Sequence, residues 1–240
     1  MRGLLFILIG LGFPAFAQQQ YIKYSSGTGF FVSREGHVIT NAHVVKACQR
    51  ISLQTPQGEV PAELVAADRE RDLAVLKTSS TPQEIASLRW NISDLQVGAQ
   101  LWLYGFPGEA GANGRSSFAR TKLVGMEGPG GNPLWLQLQN AAQHGNSGGP
   151  VLDASGNVIA VITGIAETYR PAETPGGQMT FLGSTDVAIT LAALEDFLRQ
   201  NRVPFYGASS GLVGYAEPIL ERNAARFTFP VRCVQGTVVK

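Results

Sequence analysis

The sequence predicts an all-β fold, a sandwich or barrel of short strands, on three observations. Short apolar runs recur at near-regular intervals, turn residues separate them, and glycine (28) and proline (13) are abundant in the 240 residues. An apolar fraction of 44% supports a real core. A charged fraction of 15%, against a norm of about 25%, excludes a long charged coiled coil. With 19 Lys and Arg against 18 Asp and Glu, no basic excess marks a nucleic-acid binder, and no nucleic-acid partner is expected.

The first 17 residues read as an export signal. Arg2 gives a positive start, Leu4 to Phe13 is apolar, Pro14 breaks the run, and Ala15-Phe16-Ala17 supplies the small-x-small cleavage pattern. The run is too short for a bilayer span, which needs ~20 residues. Cleavage after Ala17 predicts a secreted or periplasmic chain with no stable membrane insertion, and loss of Arg2 takes the formal charge from +1 to zero. In that oxidising setting Cys48 and Cys233 are expected to form a disulfide. No Cys-x-x-Cys or His-rich cluster points to a metal, and no cofactor is expected.

Strands are predicted at Gly29–Val32, His37–Thr40, Arg50–Thr55, Ala62–Val65, Leu73–Lys77 and Leu101–Tyr104. They resume at Thr121–Met126, Leu134–Leu138, Val151–Leu152, Val158–Thr163 and Met179–Gly183. Glu35-Gly36, Pro56-Gln57-Gly58, Gly128-Pro129-Gly130-Gly131 and Ser155-Gly156-Asn157 supply turns. Thr190 to Asn201 breaks the pattern: Leu191, Leu194, Phe197 and Leu198 share one helical face, with Thr190 as a cap. Glycine-rich Gly105–Arg115 reads as the connection between two β halves.

The chemistry concentrates in Gly145-Asn146-Ser147-Gly148-Gly149-Pro150. As G-x-S-x-G it fits the nucleophile elbow of α/β-hydrolases, but that site needs a histidine after the serine. The histidines here are His37, His43 and His144, all upstream, and strand rather than helix follows the loop. What remains is the order His, Asp, Ser: His43 in Thr40-Asn41-Ala42-His43-Val44-Val45, Asp72 in Asp72-Leu73-Ala74-Val75-Leu76, then Ser147. His37 competes as base but sits beside a turn, and Asp68 competes with Asp72 but lies in the charged turn Asp68-Arg69-Glu70-Arg71.

Those motifs, with Gly27-Thr28-Gly29-Phe30 before them, resemble the trypsin-like serine proteases, and among them the bacterial Deg/HtrA-type branch. The resemblance spans about residues 24–200. It implies two perpendicular antiparallel β-barrels with the site in the cleft between them, and a serine endopeptidase acting on a protein or peptide substrate, unfolded chains included. His43, Asp72 and Ser147 would be the catalytic residues, and the backbone N–H groups of Gly145 and Ser147 the oxyanion hole. By position Ala141 would floor the primary specificity pocket, His144 would line its rim, and Thr163-Gly164 would form one wall. An uncharged floor predicts cleavage after a small or medium apolar residue. Asn146 stands where trypsin-like zymogens usually have Asp, so activation by an inserted N-terminus is not expected.

The implied organisation is a signal segment over 1–17 and a protease domain over 18–202. Its first barrel would cover about 21–107, its second about 115–190, and its helix 190–201. The extension 203–240 is half the size of a PDZ domain, so none is expected. Phe227, Phe229, Val231 and Cys233 alternate like a half-buried strand, and the tail is expected to pack back on the first barrel, with Cys48–Cys233 bracing the loop after His43. A catalytically silent peptide- or protein-binding module on the same scaffold is the alternative reading.

Overall fold

A computed structural model describes residues 20–170 and 177–239; the expected signal segment 1–17 lies outside the described residues. In chain order the first strands are β1 (Gln20–Phe31), β2 (His37–Thr40), β3 (Arg50–Thr55), β4 (Gly58–Asp68) and β5 (Leu73–Thr78). Next come β6 (Ser87–Arg89), β7 (Gln100–Gly105), the short helix α1 (Gly108–Ala112), β8 (Ser117–Gly125), β9 (Trp135–Leu138), β10 (Pro150–Leu152), β11 (Val158–Arg170) and β12 (Thr180–Thr190). The chain ends with α2 (Leu191–Gln200), β13 (Tyr206–Ala208), α3 (Glu217–Ala224) and β14 (Thr228–Val239).

Two barrels form. The first closes in the order β1-β14-β3-β4-β5-β2. The second runs β10-β7-β8-β9-β12-β11 and is closed by β10–β11 pairing, with β6 and β13 added in parallel at the edge of β11. This is the expected two-barrel architecture, with two corrections to its boundaries.

The first barrel does not run to residue 107. Its N-terminal part ends at Thr78, and β7 belongs to the second barrel, paired with β8 from Gln100–Lys122 to Gly105–Ser117. The glycine-rich stretch after Gly105 is therefore a hairpin connection inside the second barrel. Glycines mark a turn in either case, so composition could not separate the two.

The second correction concerns the tail. β14 is inserted between β1 and β3, pairing Cys233 with Ser25 on one side and Ile51 on the other. The C-terminal strand thus closes the first barrel and removes two exposed strand edges. Its alternation has the same cause: Phe227, Val231 and Cys233 are buried, while Phe229 is half-buried beside Phe31.

Continuous apolar runs mark strands covered on both faces. In β5, Ala74 and Leu76 join Val38, Leu53 and Val231 inside the first barrel. Leu73 and Val75 turn outward into a cluster with Phe30, Ile39 and residues of β11 and α2. Helix α2 completes that cluster with Leu191, Leu194, Phe197 and Leu198, each burial contributing ~1.5–3 kcal/mol. The Thr190 side chain caps its start by accepting from Ala193 N–H, as the sequence predicts. Among the described residues, no helix is long and apolar enough to cross a membrane.

Candidate active site

The carboxylate of Asp72 is the centre of the hydrogen-bonding at the cleft. Its Oδ2 lies 2.7 Å from His43 Nδ1, and its Oδ1 accepts the His43 backbone N–H at 3.0 Å. Thr163 Oγ1, from the other barrel, donates to Oδ2 as well. Asp72 has φ +56°, a left-handed conformation that a non-glycine residue adopts only when its surroundings hold it there. Two bonds do so: Asn41 Nδ2 and Ala42 N donate to the Asp72 carbonyl at 2.8 and 3.2 Å. The Asn41-Ala42-His43 segment therefore both carries the imidazole and fixes the backbone of its carboxylate partner.

Ser147 sits on a loop whose shape excludes side chains. Gly145 has φ +100°, and a Cβ there would lie 2.6 Å from the Phe106 carbonyl oxygen. At Gly148, with φ +87°, it would lie 2.1 Å from the Thr28 carbonyl oxygen. Thr28, on β1, ties this loop to the first barrel. Its N–H donates to the Ser147 carbonyl at 2.8 Å, its Oγ1 donates to the Gly145 carbonyl at 2.8 Å, and the same Oγ1 accepts Phe106 N–H at 3.0 Å. Among the described residues, the N–H groups of Gly145 and Ser147 have no hydrogen-bond acceptor, so both remain able to donate to a ligand.

The Ser147 hydroxyl donates to the Thr163 carbonyl at 3.2 Å, and it makes no hydrogen bond with His43. His43 and Ser147 nevertheless border one cleft of about 330 Å³, together with Ala142, His144, Thr163 and Gly164. Side-chain rotation about the Ser147 Cα–Cβ bond redirects the hydroxyl within that cleft.

Of the expected residues, His43, His144, Ser147, Thr163 and Gly164 line this cleft; Asp72 and Gly145 lie behind His43 and Ser147 and do not line it, and Ala142 lines it where Ala141 was expected. The Ala141 and Ala142 N–H groups both donate to Asp186 Oδ2, at 2.6 and 2.7 Å, which draws the Ala141 backbone toward the barrel. Burial pushes the Asp186 carboxyl above the usual carboxylate range, although these two N–H bonds pull the other way. Asn146 is buried on the barrel side of the loop, at 1% exposure.

The competing residues lie elsewhere. His37, the first residue of β2, is held by a 2.7 Å contact between Nδ1 and Ser33 Oγ, and burial, with Lys77 nearby, keeps its imidazole pKa below the ordinary value. Asp68 accepts the Glu70 and Arg71 N–H groups at 2.9 and 3.0 Å, which makes it the organiser of the β4–β5 turn. The structure joins Cys48 and Cys233 in a disulfide, with Cα atoms 5.3 Å apart.

Three contributors carry no sequence signal of their own. Thr28 and Asn41 lie within Gly27–Phe30 and Thr40–Val45, but the bonds they make at the site are long-range and leave no local pattern. Asp186 lies in no motif and three residues beyond the predicted strand Met179–Gly183.

A family model for the trypsin-like peptidase domain matches residues 27–161. The uncharacterized protein y4bJ of Sinorhizobium fredii is 31% identical over 211 residues, 87% of this chain and 32% of that protein. A probable periplasmic serine endoprotease, DegP-like, of Brucella suis is 32% identical over 143 residues, 59% of this chain and 28% of the relative. The solved HtrA-type protease AlgW with tripeptide aligns with a TM-score of 0.59 at 27% identity, over 75% of this chain and 56% of that one. The chain spans about a third or less of the length of these two curated relatives. With its two barrels and glycine loop accounted for, the chain belongs to the trypsin-like peptidase domain family and is similar, within it, to the Deg/HtrA-type proteases.

Proposed function

We propose that the protein is a secreted or periplasmic serine endopeptidase that hydrolyses peptide bonds through an acyl-enzyme. The observation that supports this most is His43, paired with Asp72, facing the same cleft as Ser147, beside two N–H groups with no other acceptor among the described residues. In this reading Ser147 Oγ attacks the scissile carbonyl while His43 Nε2 takes its proton. Asp72 holds the opposite ring nitrogen and stabilises the imidazolium that forms. The new oxyanion accepts from Gly145 and Ser147 N–H, where losing one such donor costs ~2.7–4 kcal/mol. Collapse breaks the C–N bond, His43 returns its proton to the departing amine, and water then releases the acyl group by the same route in reverse. The serine must leave the Thr163 carbonyl to reach His43, and active-site hydrogen bonds commonly tighten only when substrate is present.

Substrates would be proteins or peptides in extended form, with a small or medium apolar residue at the cleaved position. The similarity to a periplasmic DegP-like relative supports the location. The Thr163-directed hydroxyl is the observation that favours a silent binding module instead. Casein turnover separates the two: the protein should degrade it and Ser147→Ala should not. Peptide binding without cleavage by either would support the module.

A further inference from the structure

Where β7, α1 and β14 meet, the two barrels leave a further cavity of about 500 Å³ that shares no lining residue with the catalytic cleft. Thr228 and Arg232 line it from one face of β14, since alternate residues of a strand share a face. Arg232 is half-buried, and its guanidinium makes one hydrogen bond among the described residues, a long one of 3.4 Å to the Ala112 carbonyl. Of its five N–H donors, four are left without an acceptor there. No Asp or Glu lines the cavity. Thr228 is 1% exposed, and its Oγ1 has no hydrogen-bond partner among the described residues, whereas buried hydroxyls nearly always have one. An apolar groove of about 460 Å³ adjoins this cavity, with Pro56 and Phe229 in the walls of both and Val60 further along. Arg226 borders the groove too, but Glu84 already faces it at 3.5 Å.

We propose that the cavity and the groove together bind a small amphipathic carboxylate, its head on Arg232 and Thr228 Oγ1 and its hydrocarbon tail along Phe229 toward Val60. Charge sets the direction of the ligand, because Arg232 lacks a carboxylate and Arg226 does not. A planar guanidinium matches a carboxylate with two parallel N–H bonds, and the Thr228 hydroxyl supplies a further donor. A neutral head would leave the half-buried cation unmatched. The tail removes apolar side chains of the groove from water, which adds to affinity in proportion to the area covered. Both spaces lie within the ~300–1,000 Å³ typical of small-molecule sites.

Binding is read without turnover, so the test is independent of the endopeptidase reading. In isothermal titration, octanoate should bind one site per chain, and octanamide at least about 10-fold more weakly, the scale of a hydrogen-bonded charge. Affinity should rise by up to about 4-fold per methylene from butanoate to octanoate as the tail enters the groove. Arg232→Gln should weaken octanoate at least about 10-fold and Thr228→Val about 3- to 10-fold, whereas Arg226→Gln should change it less than about 2-fold. Val60→Asp, which sets a charge in the path of the tail, should flatten the chain-length dependence. A folded wild type that binds no octanoate would overturn the proposal, as would equal affinity for octanamide or an unchanged affinity in Arg232→Gln. Inorganic phosphate binding as tightly as octanoate would remove the tail from the account and overturn it. A peptide with a free apolar C-terminus that binds where octanoate does not would give the site to a chain end, and overturn it too. Should Arg232→Gln fail to fold, octanoate against octanamide on wild type decides the head, and the chain-length series decides the tail.

Discussion

Cys48→Ala/Cys233→Ala should lower the stability of the protein substantially without changing its fold. The bridge links residues 185 apart in sequence. For a loop of that length, the chain-entropy relation gives about 5 kcal/mol at 25 °C, and measured disulfides typically contribute ~2–4 kcal/mol. The lower figure applies if the denatured chain keeps some contact between its ends. For a domain of ~150–250 residues each kcal/mol shifts Tm by roughly 2–4 °C, so a fall of about 5–20 °C is expected. Alanine is the better replacement, because Cys233 is fully buried between Ser25 and Ile51 and a serine there would bury a hydroxyl. Calorimetry of the double variant, and of wild type in reductant with two thiols confirmed by titration, should give the same drop. A Tm within about 1 °C of the oxidised protein by both routes would refute the reasoning, since β14 would then be held by its strand pairing alone.

Two further substitutions probe the site. Thr163→Val removes the hydroxyl that donates to Asp72 and keeps the shape of the side chain. A hydrogen bond to a charged group is worth ~1.5–3 kcal/mol, so kcat should fall roughly 10- to 100-fold with KM little changed; a wild-type kcat would show that His43 alone orients Asp72. Asp186→Asn keeps an acceptor for Ala141 and Ala142 and removes the charge. Because burial raises the Asp186 pKa above its unfolded value, its contribution to stability is fully present at acid pH and is lost as pH rises through the folded pKa. Thermal melts should therefore show Asp186→Asn gaining on wild type as pH rises from acid through neutral; a constant difference would contradict the shift.

How far the sequence could be read depended on the range of the interaction. Ser147 and Gly145 were legible because an exposed nucleophile loop needs small residues at fixed offsets, and His43 and Asp72 because a relay needs those types in a consistent order. Each of these is a local pattern. Thr28 contacts Gly145 across 117 residues and Thr163 contacts Asp72 across 91, so nothing near either residue marks the contact. The barrel boundary failed for a related reason: β7 is apolar and regular wherever it pairs, and only its partner β8 assigns it to the second barrel. Alternation along Phe227 to Cys233 revealed a strand, but not that it would sit between β1 and β3. Asp186 escaped notice because the predicted strand stops at Gly183 and an acid in the mixed stretch after it ordinarily faces water; here it faces the backbone of Ala141 and Ala142.

The central claim is that His43 and Asp72 make Ser147 a nucleophile, and fluorophosphonate labelling mapped by mass spectrometry tests it most directly. The account predicts one adduct per chain, on Ser147, with labelling abolished in Ser147→Ala and slowed at least ~100-fold in His43→Ala, the scale of general-base assistance. Adduct on another residue, or a folded, disulfide-bonded wild type that takes up no label, would contradict it.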